Sequence, residues 1–446
     1  MDEESHAIRT VRSLALLTGL ALLASCATAR LPVEAGTGPQ PELPPPRPTL
    51  IPAFELPRAT GWPPGAAPRP AAGLRVAAFA RDLAHPRWLH VLPNGDVLVA
   101  ESAQPPQPDP LKKGLSGIVR KWATKRVGAA VPSANRITLL RDTDGDGVAD
   151  VRSIFLEGLN SPTGMALVGG KFYVGNTDAV LRFDYRDGQE RITAAGMTLV
   201  ELPAGPRNYH WTKVLLPSPD GAKLYVSIGS NSNIGEGGMD YEAGRAAVWE
   251  IDLATGRHRE FATGLRNPVG LAWEPHSRTL WTVVNERDEL SPDLVPDYLT
   301  SLRDGGFYGW PYSYFGRHVD PRVKPARPDL VATALAPDYA LGPHVAPLGL
   351  AFSRGTSLPE RFGNGMFVGQ HGSWNRRPPS GYRVVFVPFV AGRPAGAPVE
   401  VLTGFLSSDG EALGRPVGVA LDRSGALLVA DDAGNAVWRV TAAAAP

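Results

Sequence analysis

Gly264-Leu265-Arg266-Asn267-Pro268-Val269-Gly270-Leu271-Ala272-Trp273 contains a pattern, Pro-x-Gly-Φ-Ala-Φ with Φ apolar, that returns along the chain. Further copies run from Pro162 to Leu167, Pro347 to Phe352 and Pro416 to Leu421, and looser ones begin at Pro86 and His210. Each copy is followed by a turn and a second short apolar run ending in polar residues. These runs are Asp96–Ser102, Lys171–Thr177, Lys223–Asn231, Thr279–Glu286, Gly365–His371 and Ala426–Asp432. Short apolar runs bounded by turn residues at this density indicate strands. A repeated four-strand unit with six copies indicates a six-bladed β-propeller, an all-β fold. Only the stretch from Asp297 to Arg303 invites a helical turn.

The runs just before the repeats, such as Ile154–Asn160, Arg259–Asn267 and Glu400–Ser407, read as the outermost strand of the preceding blade. The folded part opens with such a run, Leu74–Phe79, and ends with an apparent third strand, Ala436–Val440. Their pairing would close the ring and remove an open sheet edge.

The rest of the 446-residue chain sets the context. A formal net charge of +1 argues against nucleic acid as the main partner. Residues 1–26 have the layout of a signal peptide: Arg9 and Arg12, an apolar run from Leu14 to Leu23, then Leu23-Ala24-Ser25-Cys26. That ending resembles a bacterial lipobox and makes Cys26, the sole cysteine, the expected lipid-anchor site. Residues 27–72 are dense in Pro and Ala, which predicts a disordered or semi-rigid tether. The propeller domain is then 73–446, tethered to a membrane in the periplasm.

Antiparallel strands place the start of each repeat strand beside the end of the next one. One mouth of the ring therefore collects Asn160, Asn208, His210, Arg266, Asn267, His344 and Arg415 from strand starts. Strand ends add Glu101, Asn176, Ser230, Asn231, Asn285, Glu286, Gln370, His371, Asp431 and Asp432. A concave polar cluster over apolar strands is a candidate site. Strand ends also need polar groups to cap backbone, so any single Asn or Asp here has a structural reading too. Arg266-Asn267 stands out, because a cation and an amide fill positions that the other copies give to modest residues.

A second pattern, Asp142-Thr-Asp144-Gly-Asp146-Gly147-Val-Ala-Asp150, has the alternating carboxylates of a Ca²⁺ loop. Ser153 stands where such a loop usually has its closing Glu, and Asp150 could close a shorter one. The alternative is a solvated acidic turn. A metal here would be structural, on an outer hairpin away from the mouth.

Together, Gly264–Trp273, the His210 strand, Val283–Leu290, Gly305–Tyr312 and Gly414–Leu421 resemble the glucose/sorbosone dehydrogenase family, in its sorbosone dehydrogenase-like branch. The resemblance covers roughly residues 73 to 446. It implies a six-bladed propeller that uses pyrroloquinoline quinone (PQQ) and Ca²⁺ to oxidise a sugar, an aldose or a sugar aldehyde such as sorbosone. His210 matches the family's catalytic histidine, which takes a hydroxyl proton. Arg266 matches the arginine over the quinone carbonyls, and Asn267 would hydrogen-bond the cofactor. Arg415, then Arg376 and Arg377, are the expected partners of the quinone's carboxylates. Ca²⁺ is expected near Asn285 and Glu286. The family's acidic partner for the histidine is replaced by Ser230. The expected partners are a sugar and an electron acceptor. Two rival functions use the same scaffold: a Ca²⁺-dependent lactonase, and a propeller that only binds.

Overall fold

The computed structural model describes residues 28–48, 55–106, 126, 128, 130–205 and 207–443. The leader, Cys26 and most of the 104–136 insertion lie outside the described residues.

Six blades, each built on four antiparallel strands, form the ring. The first blade comprises Pro86–Val91, Val97–Glu101, Arg136–Arg141 and Val151–Leu156. The second comprises Gly164–Val168, Lys171–Gly175, Ala179–Asp184 and Met197–Glu201. Leu215–Pro217, Lys223–Ile228, Ala247–Asp252 and His258–Thr263 make the third. The fourth is built from Pro268–Trp273, Leu280–Val284, Pro296–Ser301 and Tyr339–Pro343. Pro347–Phe352, Gly365–Gln370, Arg383–Val390 and Val399–Thr403 form the fifth. In the sixth, Pro416–Leu421, Leu427–Asp431 and Ala436–Ala442 are completed by Leu74–Ala80, so the start of the propeller closes its end. The stretch after Asp297 is strand, not helix. Its side chains are buried almost throughout, which a pleated central strand permits and a surface helix does not.

The repeat has a steric cause. The Pro-x-Gly strand is innermost in its blade, where neighbouring blades crowd the axis. A methyl group on Gly164 would lie 2.4 Å from the Lys213 carbonyl oxygen of the next blade. On Gly270 it would lie 2.7 Å from the Leu348 carbonyl, and on Gly349 2.4 Å from that of Val417. On Gly418 it would meet the Arg87 carbonyl at 2.9 Å, which carries the same contact into the first blade. These glycines are needed for close approach rather than for unusual backbone angles. The residue before the glycine points to the axis. Val269, Leu348 and Val417 join Val214 and Trp88 in an apolar plug.

The Pro-rich segment departs from the tether expected of its composition. Thr37–Gly38 adds an edge strand to the fourth blade, and Arg69–Pro70 one to the fifth. Described residues between them are held by backbone bonds from Arg47 to Leu290, Glu55 to Trp374 and Thr60 to Ala412. Prolines suit such edges because an outward-facing residue needs no N–H.

Candidate functional site

Registers fix which end of the disc is the mouth: Pro86 faces Glu101, Pro268 faces Val284, Pro347 faces Gln370 and Pro416 faces Asp431. The strand-end carboxylates divide into two kinds. Glu101 accepts from the Ala84 amide, Arg136 and Thr138, and Asp431 accepts from the Arg415 amide, Trp62 and Trp438. Both secure backbone. Asp432, one residue later, turns to the axis.

Two clusters meet above the apolar plug. The first spans the third to fifth blades. His210 Nδ1 lies 2.7 Å from the Ser230 carbonyl oxygen and 3.1 Å from Ser230 Oγ. A carbonyl only accepts, so Nδ1 carries the proton and Nε2 is the basic atom. Burial, then the positive charge of Arg266, holds the imidazole well below its ordinary pKa, so it is neutral near pH 7. His210 and Asn267 enclose Gly229, where a methyl group would lie 2.2 Å from Asn267 Oδ1 and 2.5 Å from His210 Cβ. Arg266 Nη2 donates to Asp288 Oδ2 at 2.9 Å and to Asn233 Oδ1 at 3.0 Å. Asp288 Oδ1 accepts from Asn375 Nδ2 at 2.7 Å, and Asn375 reaches His344 Nδ1 at 3.3 Å.

The second cluster joins the fifth, sixth and first blades. His371 Nε2 sits 2.9 Å from Asp432 Oδ2, the oxygen that also accepts from Arg87 Nη1. His85 Nε2 is 3.5 Å away. Burial pushes His371 down to about 4 despite the carboxylate. Although burial opposes it, the company of His371, His85 and Arg87 holds Asp432 well below the usual range. Arg415 stands beside this group with its guanidinium carbon 5.8 Å from the Tyr382 ring centre. Arg87 links the clusters, since its guanidinium lies 5.6 Å from the ring of Trp211, next to His210. Backbone strain gathers here as well: Ser161, His85 and Ala346, each just before the proline of an inner strand, have φ between 43° and 59°.

The mouth also holds buried polar atoms without a protein partner. They include Arg266 Nε, Asn267 Oδ1, Asn375 Oδ1, Arg87 Nε, Arg415 Nε and Asp432 Oδ1. Native interiors rarely leave such groups unpaired, and a concentration of them in one cavity marks a ligand site.

Of the residues singled out in the sequence, the mouth unites His210, Arg266, Asn267 and Arg415. Four others go elsewhere. Arg376 is 1% exposed and donates to the carbonyls of Leu31 and Pro378, with Asp293 at 3.6 Å. A buried cation must be paired, and this one is paired away from the mouth. Arg377 is exposed and bound to Glu55. Glu286 is paired with Arg287 at 3.0 Å within a buried network, and Asn285 donates to the Pro347 carbonyl. Glu286 Oε1 keeps no protein partner.

Among the described residues, the one group of three carboxylate or imidazole ligands is Asp142, Asp144 and Asp146, with ligand atoms within 4.8 Å of one another. Their loop joins Arg141 to Val151, at the end of the first blade away from the mouth. Asp150 lies outside that group, because Thr143 holds its carboxylate through its amide and hydroxyl at 2.7 and 2.8 Å.

Sequence reading passed over Arg87, Asp288, Asn233 and Asn375. Arg87 follows the proline of a loose repeat, at the position that other copies give to Val269, Leu348 and Val417, so its charge was the visible signal. Asn375 precedes the two arginines chosen instead, and only the path of the loop distinguishes the three.

The TrAA12-like family model matches residues 133–296 and 330–443. The chain belongs to the TrAA12-like family. This family member is 28% identical over 294 residues to an uncharacterized protein of Borreliella burgdorferi, covering 63% of this chain and 76% of that one. It is 26% identical over 359 residues to a pyrroloquinoline quinone-dependent pyranose dehydrogenase of Coprinopsis cinerea. That match takes in 71% of this chain but only 44% of the fungal enzyme. Among solved structures, the holo PQQ domain of the Coprinopsis pyranose dehydrogenase aligns with TM-score 0.67 at 22% identity, over 85% of this chain and 98% of that domain. A calcium structure of a Trichoderma reesei family AA12 enzyme aligns with TM-score 0.68 at 20% identity, over 84% and 97%. The soluble aldose sugar dehydrogenase of Escherichia coli, in its apo form, gives 0.57 at 16% identity, over 83% and 100%. These likenesses establish the six-bladed propeller.

Proposed function

We propose that this protein is a PQQ-dependent dehydrogenase that oxidises a sugar, with His210 as the base. The observation that carries the reading is the pairing of a neutral imidazole with unpartnered buried donors around one cavity. Family membership and the names of the relatives support it. When bound, PQQ would supply a planar two-electron acceptor bearing three carboxylates. Arg266, Asn267, Arg415 and Arg87 are the residues whose donors and charge suit such an anion.

The protein's own part follows from its protonation states. His210 is locked as the Nδ1–H tautomer by the Ser230 carbonyl, and Nε2 has no protein partner among the described residues. Nε2 is thus free to receive the proton of a sugar hydroxyl while Nδ1 stays anchored. Because Ser230 provides a dipole rather than a charge, the resulting imidazolium gains less stabilisation than a carboxylate would give. Asp288 and Asn233 hold the Arg266 guanidinium in place, so that it presents a fixed cation where negative charge develops.

The lactonase alternative needs free carboxylates on the axis. Asp288 and Asp432 are each paired with an arginine, which leaves one unpartnered carboxylate oxygen between them, Asp432 Oδ1. We assign Ca²⁺, in a structural role, to Asp142, Asp144 and Asp146 on the far side. We also assign the chain to the periplasm with a lipid on Cys26; mass spectrometry of the mature N-terminus tests that assignment.

The decisive experiment is reconstitution of the purified protein with PQQ, with dye reduction followed across a panel of aldoses and sugar aldehydes. Saturable PQQ binding and sugar-dependent reduction are expected. Failure to bind PQQ ends the proposal.

A further inference from the structure

We infer that residues 55–62 form a strap, latched by Trp62, that positions Arg415 and holds the ligand of the mouth against release. This inference rests on the proposed quinone site for the identity of that ligand, a flat polycarboxylate, but its geometry stands alone.

The latch is a made-to-measure slot. The Trp62 indole Nε1 donates to Asp431 Oδ2 at 2.7 Å. Its ring meets Phe405 and Trp438 edge-on, with centres 5.5 and 5.4 Å apart. The slot exists because residues 414 and 434 lack side chains: a methyl group on Gly414 or Gly434 would lie 2.7 or 2.5 Å from Trp62 Nε1. Asp431 is the pivot. Its other oxygen accepts the Arg415 amide at 2.7 Å, so indole and arginine backbone are fixed through one buried carboxylate. The strap then pairs with the sixth blade's lead-in. The Thr60 amide donates to the Ala412 carbonyl at 2.9 Å, and the Ala412 amide to that of Arg58 at 2.8 Å.

Three residues upstream of Thr60, the Pro57 carbonyl accepts from Arg415 Nη2 at 3.4 Å. Arg415 Nε remains unpartnered. The strap thus occupies one donor of the guanidinium and leaves another toward the mouth. The Glu55 amide continues the contact to the Trp374 carbonyl, in the loop that carries Asn375. Separately, Asp293 accepts from the amides of Arg30 and Leu31 and from Arg47 at 2.9 Å, which anchors those earlier residues to the fourth blade. Trp62 touches no reacting atom, so it is a positioning residue: it acts through Asp431 on Arg415.

Trp62→Phe keeps the ring in its slot and removes the hydrogen bond; Trp62→Ala empties the slot. Measured by stopped flow on the reconstituted protein, PQQ release should accelerate roughly tenfold in Trp62→Phe and more in Trp62→Ala. The sugar KM should stay within about twofold, because the base and its surroundings are untouched. A second arm needs no cofactor. Hydrogen–deuterium exchange of the apo protein should speed up at Thr60, Ala412 and Arg415 in both variants, while the strands of the second and third blades stay protected. Unchanged PQQ release in a folded Trp62→Phe variant overturns the retention role. Unchanged exchange in Trp62→Ala overturns the strap itself. If wild-type protein binds no PQQ, the quinone site fails, and the exchange arm still decides the strap.

Discussion

Two histidines face the same mouth with opposite partners. His210 has a carbonyl and a hydroxyl behind it and a guanidinium nearby; His371 has a carboxylate, Asp432, 2.9 Å from its ring. By pairing alone His371 looks like the stronger base. Its carboxylate is shared with Arg87, however, and burial drives its imidazole down to about 4. Its Nε2–H is also committed to Asp432. His210 instead keeps Nε2 free among the described residues. The comparison teaches that a charged partner does not by itself make a base, because access and competing cations decide. The His210 side is suited to moving a proton, and the His371–Asp432–Arg87 side to fixing an anion through its cations.

The most disruptive test is His210→Ala. Turnover should fall by about 10²–10⁴, the range of a general base, while PQQ affinity changes little. Parallel loss of both would merge the two roles that the comparison separates. Next is Arg266→Leu, which leaves the Asp288 carboxylate buried without its cation. Breaking such a pair costs about 3–5 kcal/mol, so thermal unfolding should shift downward clearly, together with loss of PQQ binding. An unchanged melting temperature would show that Asp288 finds another partner.

A subtler change sharpens the contrast by giving His210 the acid it lacks. A neutral base is lost as pH falls through its pKa, and that pKa is depressed below 6.5. The acid limb of kcat/KM should therefore lie below 6.5 in the wild type. Ser230→Asp should move this limb upward by about 1–3 pH units, the usual effect of an adjacent opposite charge. No movement would mean that another group sets the limb. His371→Asn should leave the limb in place and weaken PQQ binding only a few-fold, since Arg87 and Arg415 remain. The smallest effect belongs to the acidic loop: Asp144→Asn, or chelation, should lower thermal stability slightly and leave turnover unchanged.

Much of this was legible in the chain. Pro-x-Gly repeats betray the innermost strands because only glycine survives where Gly270 meets the Leu348 carbonyl. The same regularity shows which residues reach the mouth, and so His210, Arg266, Asn267 and Arg415 could be named. Loops break that regularity. In Asn375-Arg376-Arg377 the order of charges suggests two anion binders, yet the chain path sends the amide inward and spends both arginines on the N-terminal segment. At Glu286, Arg287, its own neighbour, takes one carboxylate oxygen, a pairing that the repeat pattern does not reveal. The Pro-rich segment misled most, because composition reports low intrinsic order but not a slot waiting elsewhere for one tryptophan.

Closure of the ring has a consequence for biogenesis. Leu74 pairs with Ala442, so the first strand of the propeller must wait for nearly the last one to be made. Until then both ends of the growing sheet series present raw hydrogen-bonding margins, and contacts so distant along the chain form late. A polypeptide that stops before Ala436 should therefore be released as an open crescent, prone to joining its own kind and to digestion, rather than as a slightly shortened disc.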